Sequence, residues 1–199
     1  ECTRKDLMEI LGIPDSKISV VHLGCSLAPK VTSTPVRSSD EKPYLLYVGL
    51  RNGYKNFEHL LRAYASSRFL MESFDLVCFG GGAFNAVEHD LIQSLDIPAA
   101  SVKHIGGDDN HLISAYRFAS IFVYPSLYEG FGIPPLEAMS LGCPVACSNA
   151  GSIPEIVADC AELFDPTDVS DICRAITRIV TTPDHSRKLI EKGRLRSAN

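Results

Sequence analysis

The sequence predicts an α/β fold: a Rossmann-like, doubly wound parallel sheet with helices on both faces. Two observations predict it. From Pro43 onward, short apolar runs that end at loops alternate regularly with segments of helical period. Within that rhythm, residues 124 to 145 (Tyr124-Pro-Ser-Leu-Tyr-Glu-Gly-Phe-Gly-Ile-Pro-Pro-Leu-Glu-Ala-Met-Ser-Leu-Gly-Cys-Pro-Val) join a strand end, a glycine loop and a helix. Repeated βαβ units require right-handed crossovers and a sheet covered on both faces. Ligands of such sheets bind outside the carboxyl ends of the strands, so the loops that follow strands are where chemistry is sought. Strand order is not legible.

Taken in order, Thr3 and Asp6 have capping-box spacing ahead of a helix through Leu7, Met8, Ile10 and Leu11, which stops at Gly12. Pro14-Asp-Ser makes a turn, and Ile18–His22 reads as a strand. Residues 26 to 42 are polar and proline-bearing, a surface segment expected to be the most flexible in the chain. Strands are then expected at Tyr44–Val48, Phe74–Phe79, Val102–Ile105, Ile121–Tyr124, Val145–Cys147 and Ala161–Leu163. The intervening helices run from about Asn56 to Ala65, Asn85 to Leu95, Asn110 to Ala119, Pro134 to Gly142 and Ile153 to Val157. Helices around Val169–Val180 and from about Asp184 close the chain.

With 199 residues and 45% hydrophobic content, the chain holds one or at most two domains with an ordinary buried core. A net charge of -5 and the lack of a long basic run argue against nucleic acid as a partner. No stretch approaches the ~18 apolar residues of a membrane span, and Glu1-Cys-Thr-Arg-Lys-Asp6 does not begin a signal peptide. The seven cysteines lie scattered, mostly in apolar segments, without a Cys-x-x-Cys pair, so neither a zinc site nor a redox motif is indicated. They read as reduced core thiols of a reducing, cytoplasmic compartment.

Five loops are candidate sites. In Gly49-Leu-Arg-Asn-Gly-Tyr-Lys-Asn56, Arg51 and Lys55 stand before a helix N-terminus, where cations are disfavoured unless an anion such as a diphosphate sits between them. The bland alternative is two solvated loop cations. Phe79-Gly-Gly-Gly-Ala-Phe84 invites a nucleotide reading, but Asn85 replaces the third glycine of G-x-G-x-x-G and no acidic residue ends the next strand. A dinucleotide site is therefore not expected, and a plain turn serves equally. His104-Ile-Gly-Gly-Asp-Asp109 puts a His at a strand end; it is structural, or its neighbours line a base pocket through backbone groups, with Asp108 or Asp109 as helix N-cap. Glu129 and Glu137, eight positions apart, suit either an acid/base pair or hydroxyl recognition, and Glu137's apolar setting demands a partner for its carboxylate. Ser148–Glu155 either closes the site or simply caps a helix through Ser152.

Gly-Leu-Arg-x-x-x-Lys-Asn, Phe-Gly-Gly-Gly and the 124–145 segment, in this order, resemble the C-terminal domain of GT-B-fold, retaining nucleotide-sugar glycosyltransferases of group 1, many of them mannosyltransferases. The likeness runs from the Ile18 strand to Ile179. It implies that Glu129 holds donor-sugar hydroxyls and Glu137 the ribose, so the two are not an acid/base pair. It implies too that the backbone amides of Gly130, Phe131, Gly132 and Ile133 face the sugar and phosphates, with Gly49 and His104 nearby on the donor side. Arg51 and Lys55 match the family's diphosphate-binding pair, which stabilises the leaving group electrostatically and makes a metal or other cofactor unnecessary. The donor would be a GDP- or UDP-sugar, with the resemblance leaning to GDP-mannose. The acceptor would be a glycan or lipid-linked saccharide bound largely by an N-terminal domain that this chain lacks, and the full-length protein would sit in the cytoplasm or at the inner face of a membrane. Residues 1–199 thus read as one isolated donor-binding domain, expected to transfer nothing alone. His22-Leu-Gly-Cys25 departs from the family's usual Asn-Gly-Val-Asp. Two other readings stay open: a GT-B-fold sugar-nucleotide epimerase domain, and a non-catalytic sugar-nucleotide-binding or scaffold domain.

Overall fold

Short apolar runs become strands only when neighbours satisfy their backbone groups. In a computed structural model, which describes residues 2–21 and 42–198, six of them do so. They are β1 Tyr44–Val48, β2 Asp75–Phe79, β3 Val102–Ile105, β4 Ile121–Tyr124, β5 Val145–Ser148 and β6 Glu162–Phe164. All pairings are parallel, in the order β3-β2-β1-β4-β5-β6. The chain steps outward from β1 to β3, then returns to lay β4 beside β1, which creates a topological switch point between those two strands.

Nine α-helices lie among the described residues: α1 Cys2–Glu9, α2 Phe57–Ala65, α3 Arg68–Ser73, α4 Ala86–Ser94, α5 Asp109–Phe118, α6 Ile133–Ser140, α7 Ile153–Val157, α8 Val169–Thr181 and α9 Pro183–Ser197. Side chains alternate strictly across the sheet, as the pleat dictates. Leu45, Tyr47, Ile121, Val123, Ala146 and Phe164 pack beneath α2, α3, α4 and α8. Leu46, Phe122, Tyr124, Val145 and Cys147 pack beneath α5, α6 and α7. Because both faces are covered, the strands read as continuous apolar runs. The helix α9 closes over α6 and α7: a Cβ on its Gly193 would lie 2.9 Å from Met139 Cγ, and Arg196 donates to the carbonyls of Ile156 (3.0 Å) and Glu155 (2.9 Å).

The Rossmann-like sheet expected from the sequence is the sheet observed, with three local differences. Ile18–Val21 forms no strand; Val21 is 82% exposed, and β-branched content alone supplies no ladder partner. Helix α1 begins at Cys2, which puts Thr3 inside the first turn instead of at the cap, and it ends at Glu9, so Ile10 and Leu11 are exposed. Helix α3 had no apolar signature; Ser67 caps it by accepting from Leu70 N at 3.3 Å. His22, Cys25 and the polar segment except Lys42 lie outside the described residues. Cys78, Cys143, Cys147, Cys160 and Cys173 are free thiols, and burial pushes Cys78 up to about 12.

Candidate functional site

The switch point brings together the loops that leave β1 and β4, and with them Lys55 and Glu129. Lys55 Nζ lies 2.7 Å from Glu129 Oε1, with side chains only 17% and 13% exposed. The ammonium also faces the rings of Tyr54 (5.1 Å) and Tyr124 (5.5 Å). Burial pushes the Tyr124 hydroxyl well above its ordinary range, and the neighbouring Glu129 charge adds to that.

Asn56 explains how the two loops hold their distance. It sits buried in the left-handed region (φ 58°), and its Nδ2 donates to the carbonyls of Pro125 (3.0 Å) and Pro166 (2.7 Å), while Leu127 N donates to Tyr54 O at 2.8 Å. Asn is among the few residues that tolerate this conformation. From the β5 side, Ser152 Oγ lies 2.9 Å from Glu129 O and 2.7 Å from Phe131 O. Ser152 makes no side-chain cap on α7; its hydroxyl clamps the β4 loop instead. Gly151 (φ +59°) permits that approach, since a Cβ there would lie 3.1 Å from Glu129 O.

The glycine loop runs into α6 with Gly132 at the N-cap and no side-chain cap. Of the donors a helix start leaves unclaimed, Pro134 and Pro135 have none to offer, so Gly132 and Ile133 carry the available N–H groups; among the described residues no acceptor takes either. One turn further, Glu137 finds the partner its setting demanded: Tyr116 Oη on α5 donates to Oε2 at 3.1 Å. Burial raises Glu137's carboxyl above the usual range; the Tyr116 bond counters this and Asp109 adds to it. Tyr116 itself, fully buried, is raised by burial and by Glu137's charge, so its hydroxyl stays protonated and donates to the carboxylate.

Arg51 does not join Lys55 in this crevice. Its side chain, 3% exposed, is sunk into the loop after β2, where Nε donates to Glu88 Oε1 (2.8 Å), Nη1 to Gly80 O (2.9 Å) and Nη2 to Gly82 O (2.8 Å) and Ala83 O (3.1 Å). The Phe84 ring covers the guanidinium at 4.7 Å. A buried guanidinium needs acceptors, and Gly80, Gly81 and Gly82, all at positive φ, turn their carbonyls inward to supply them. These bonds engage four of the five N–H donors. A cleft of about 460 Å³ adjoins, lined by Leu50, Asn52, Asn85 and Val87 among others.

Gly49 stands at the carboxyl edge of β1 with its N–H committed to Phe79 O at 2.9 Å. His104 is placed elsewhere. Its side chain shares the Val102 face of the sheet, opposite to Glu137, with its ring centroid 6.3 Å from that of Phe84 in a T-shaped pair and its buried Nε2 without a partner among the described residues. Neighbouring Ile105 O is taken by Gly80 N at 3.0 Å, and Asp108 is the cap of α5, accepting from Asn110 N and His111 N. The contacts of Asn56, Glu88 and Tyr116 and the clamping by Ser152 are features of the candidate site that the sequence reading missed. Only Glu88 had a signal, the Asn85-x-x-Glu88 capping box that the structure contains.

Comparison with known proteins supplies the family. Residues 32–196 match the family model "Glycosyl transferases group 1". The chain is 34% identical over 184 residues to O-antigen chain mannosyltransferase B of Escherichia coli, covering 85% of this chain and 47% of that protein. It is also 34% identical over 146 residues to the MMP alpha-(1->4)-mannosyltransferase of Mycolicibacterium hassiacum, covering 72% and 35%. The chain thus spans less than half the length of both relatives. Among solved structures, a glycosyltransferase from Rickettsia africae superposes with a TM-score of 0.82 at 20% identity, covering 100% of this chain and 56% of that one, which bears on the fold alone. A C-terminal domain of a group 1 family glycosyltransferase from Francisella tularensis superposes with a TM-score of 0.67 at 24% identity, covering 79% and 86%. On the family match and the mannosyltransferase identities, this chain belongs to the group 1 glycosyltransferases.

Proposed function

We propose that this chain is the donor-binding half of a hexosyltransferase. It takes a GDP- or UDP-sugar and passes the hexose, with retention, to a glycan or lipid-linked acceptor held mainly by another domain. The observation that carries the reading is the crevice between β1 and β4, where a paired cation and carboxylate, Lys55 and Glu129, adjoin the unclaimed amides of Gly132 and Ile133. Such a set suits a ligand with both negative phosphate and neutral hydroxyls. Lys55 neutralises the departing diphosphate, the loop amides of residues 130–133 orient phosphate and sugar, Glu129 accepts from sugar hydroxyls and Glu137 from the ribose diol. Arg51 is assigned to the same diphosphate; four of its donors fix the neighbouring β2 loop, so it would reach the phosphates only by giving up some of those bonds. Gly49 and the backbone around His104 border the nucleoside.

In this reading Lys55 and Arg51 take the place of a metal ion, so transfer by the full-length enzyme should survive exhaustive EDTA treatment. Binding is tested on the 199-residue chain by NMR titration with UDP, GDP and their hexose conjugates. Expected are saturable shifts at Lys55, residues 130–133 and Glu137. Shifts absent from those positions would overturn the reading. The name mannosyltransferase in both curated relatives makes GDP-mannose the first donor to test.

A further inference from the structure

Tyr116 lies behind the proposed ribose site, on a different helix, and nothing in the donor-binding reading requires it. Its ring is fully buried and held edge-on by Phe122 (5.3 Å between centroids, 81° between planes), so its hydroxyl has one position. That hydroxyl donates to Glu137 Oε2, and among the described residues no other side chain bonds this carboxylate. A glutamate one turn inside a helix has three free torsions, and orienting it on ligand binding costs side-chain entropy. Because Oε2 is already pinned, the cost is met on folding, and Oε1 is left to accept from a ligand.

We propose that Tyr116 is a positioning residue for donor recognition: its hydroxyl fixes the Glu137 carboxylate in the orientation that reads the ribose 2′ and 3′ hydroxyls. The inference rests on the assignment of Glu137 to the ribose. It separates this glutamate from Glu129, whose partner Lys55 is itself a ligand-binding group.

Calorimetric titration of the 199-residue chain with UDP and GDP, each beside its 2′,3′-dideoxy form, tests it. The wild type should prefer the ribose form by roughly tenfold, the scale of one hydrogen bond to a charged group. Tyr116→Phe should lose most of that preference while binding the dideoxy form as before. In a Glu137→Gln background the same change should have no further effect. Equal weakening of both forms by Tyr116→Phe, or an unchanged preference, overturns the proposal. A wild type that binds both forms equally overturns it together with the ribose assignment, leaving the diphosphate reading intact, whereas a wild type that binds neither nucleotide overturns the donor site as well. If Tyr116→Phe does not fold, fluorotyrosine at position 116, a stronger donor of nearly equal size, should raise the ribose preference, and no change would again overturn the proposal.

Discussion

Two half-buried carboxylates in this site sit in opposite electrostatic settings, and their substitution should have opposite consequences. Glu129 is matched by Lys55 at 2.7 Å. Lys55→Ala strands that carboxylate in a crevice that admits little water, and should cost about 1–3 kcal/mol in urea unfolding while abolishing nucleotide binding. Among the described residues Glu137 has only the Tyr116 hydroxyl as a side-chain partner, and burial holds its carboxyl above the usual range. A group whose pKa is raised by folding contributes most at low pH and loses that contribution as pH rises through the folded value. Glu137→Gln should therefore raise the melting temperature at pH 7, with the gain fading towards pH 4, near the unfolded carboxyl's value of about 4.3. Thermal melts across that range check it, and nucleotide affinity should fall even as stability rises.

At the scale of elements, the far edge of the sheet is held by charge. Glu162 opens β6, 6% exposed, and takes Arg174 (2.6 Å) and Arg178 (3.0 Å) from α8 and His185 (2.9 Å) from α9. Burial alone would raise its pKa, but these partners outweigh it and hold the carboxyl below the usual range. That contribution is present above about pH 4.3 and is lost as pH falls through the folded value. Glu162→Gln should cost about 2 kcal/mol at pH 7 and nothing near pH 2, readable as a shrinking gap between urea midpoints; the partly exposed arginines keep it below the figure for a fully buried pair. Between β4 and β5, Gly151→Ala should push the Glu129 backbone away from Ser152, with a stability loss of about 1–2 kcal/mol for the left-handed alanine and a larger proportional loss of nucleotide affinity. The elements themselves were legible where apolar period and punctuation agreed: β3, β4 and α7 fall where the pattern puts them. Ile18–Val21 misled because pairing depends on a neighbour, and α3 was hidden because a six-residue helix capped by Ser67 leaves no period to detect.

For the molecule as a whole, the sequence disclosed a parallel sheet but not its order, and the order puts Lys55 beside Glu129, 74 positions apart. Loops carried the legible chemistry because glycine, proline and charge mark them. Asn56 and Tyr116 escaped because their roles depend on carbonyls or carboxylates brought from distant strands and helices. The separation of Arg51 from Lys55 was likewise invisible: spacing put both in one loop, while burial sent one guanidinium into the neighbouring turn. The Lys55–Glu129 pair also bears on turnover. Each charge is already neutralised by the other, so on the proposed function an incoming donor would have to satisfy both at once, diphosphate on the lysine and hydroxyls on the glutamate. After transfer of the hexose, the nucleoside diphosphate would still claim Lys55 but offer Glu129 nothing, and re-forming the internal pair would favour its departure. On that reading the ion pair competes with the spent nucleotide, and Glu129→Gln, which removes the competitor, should slow nucleotide release in stopped-flow displacement.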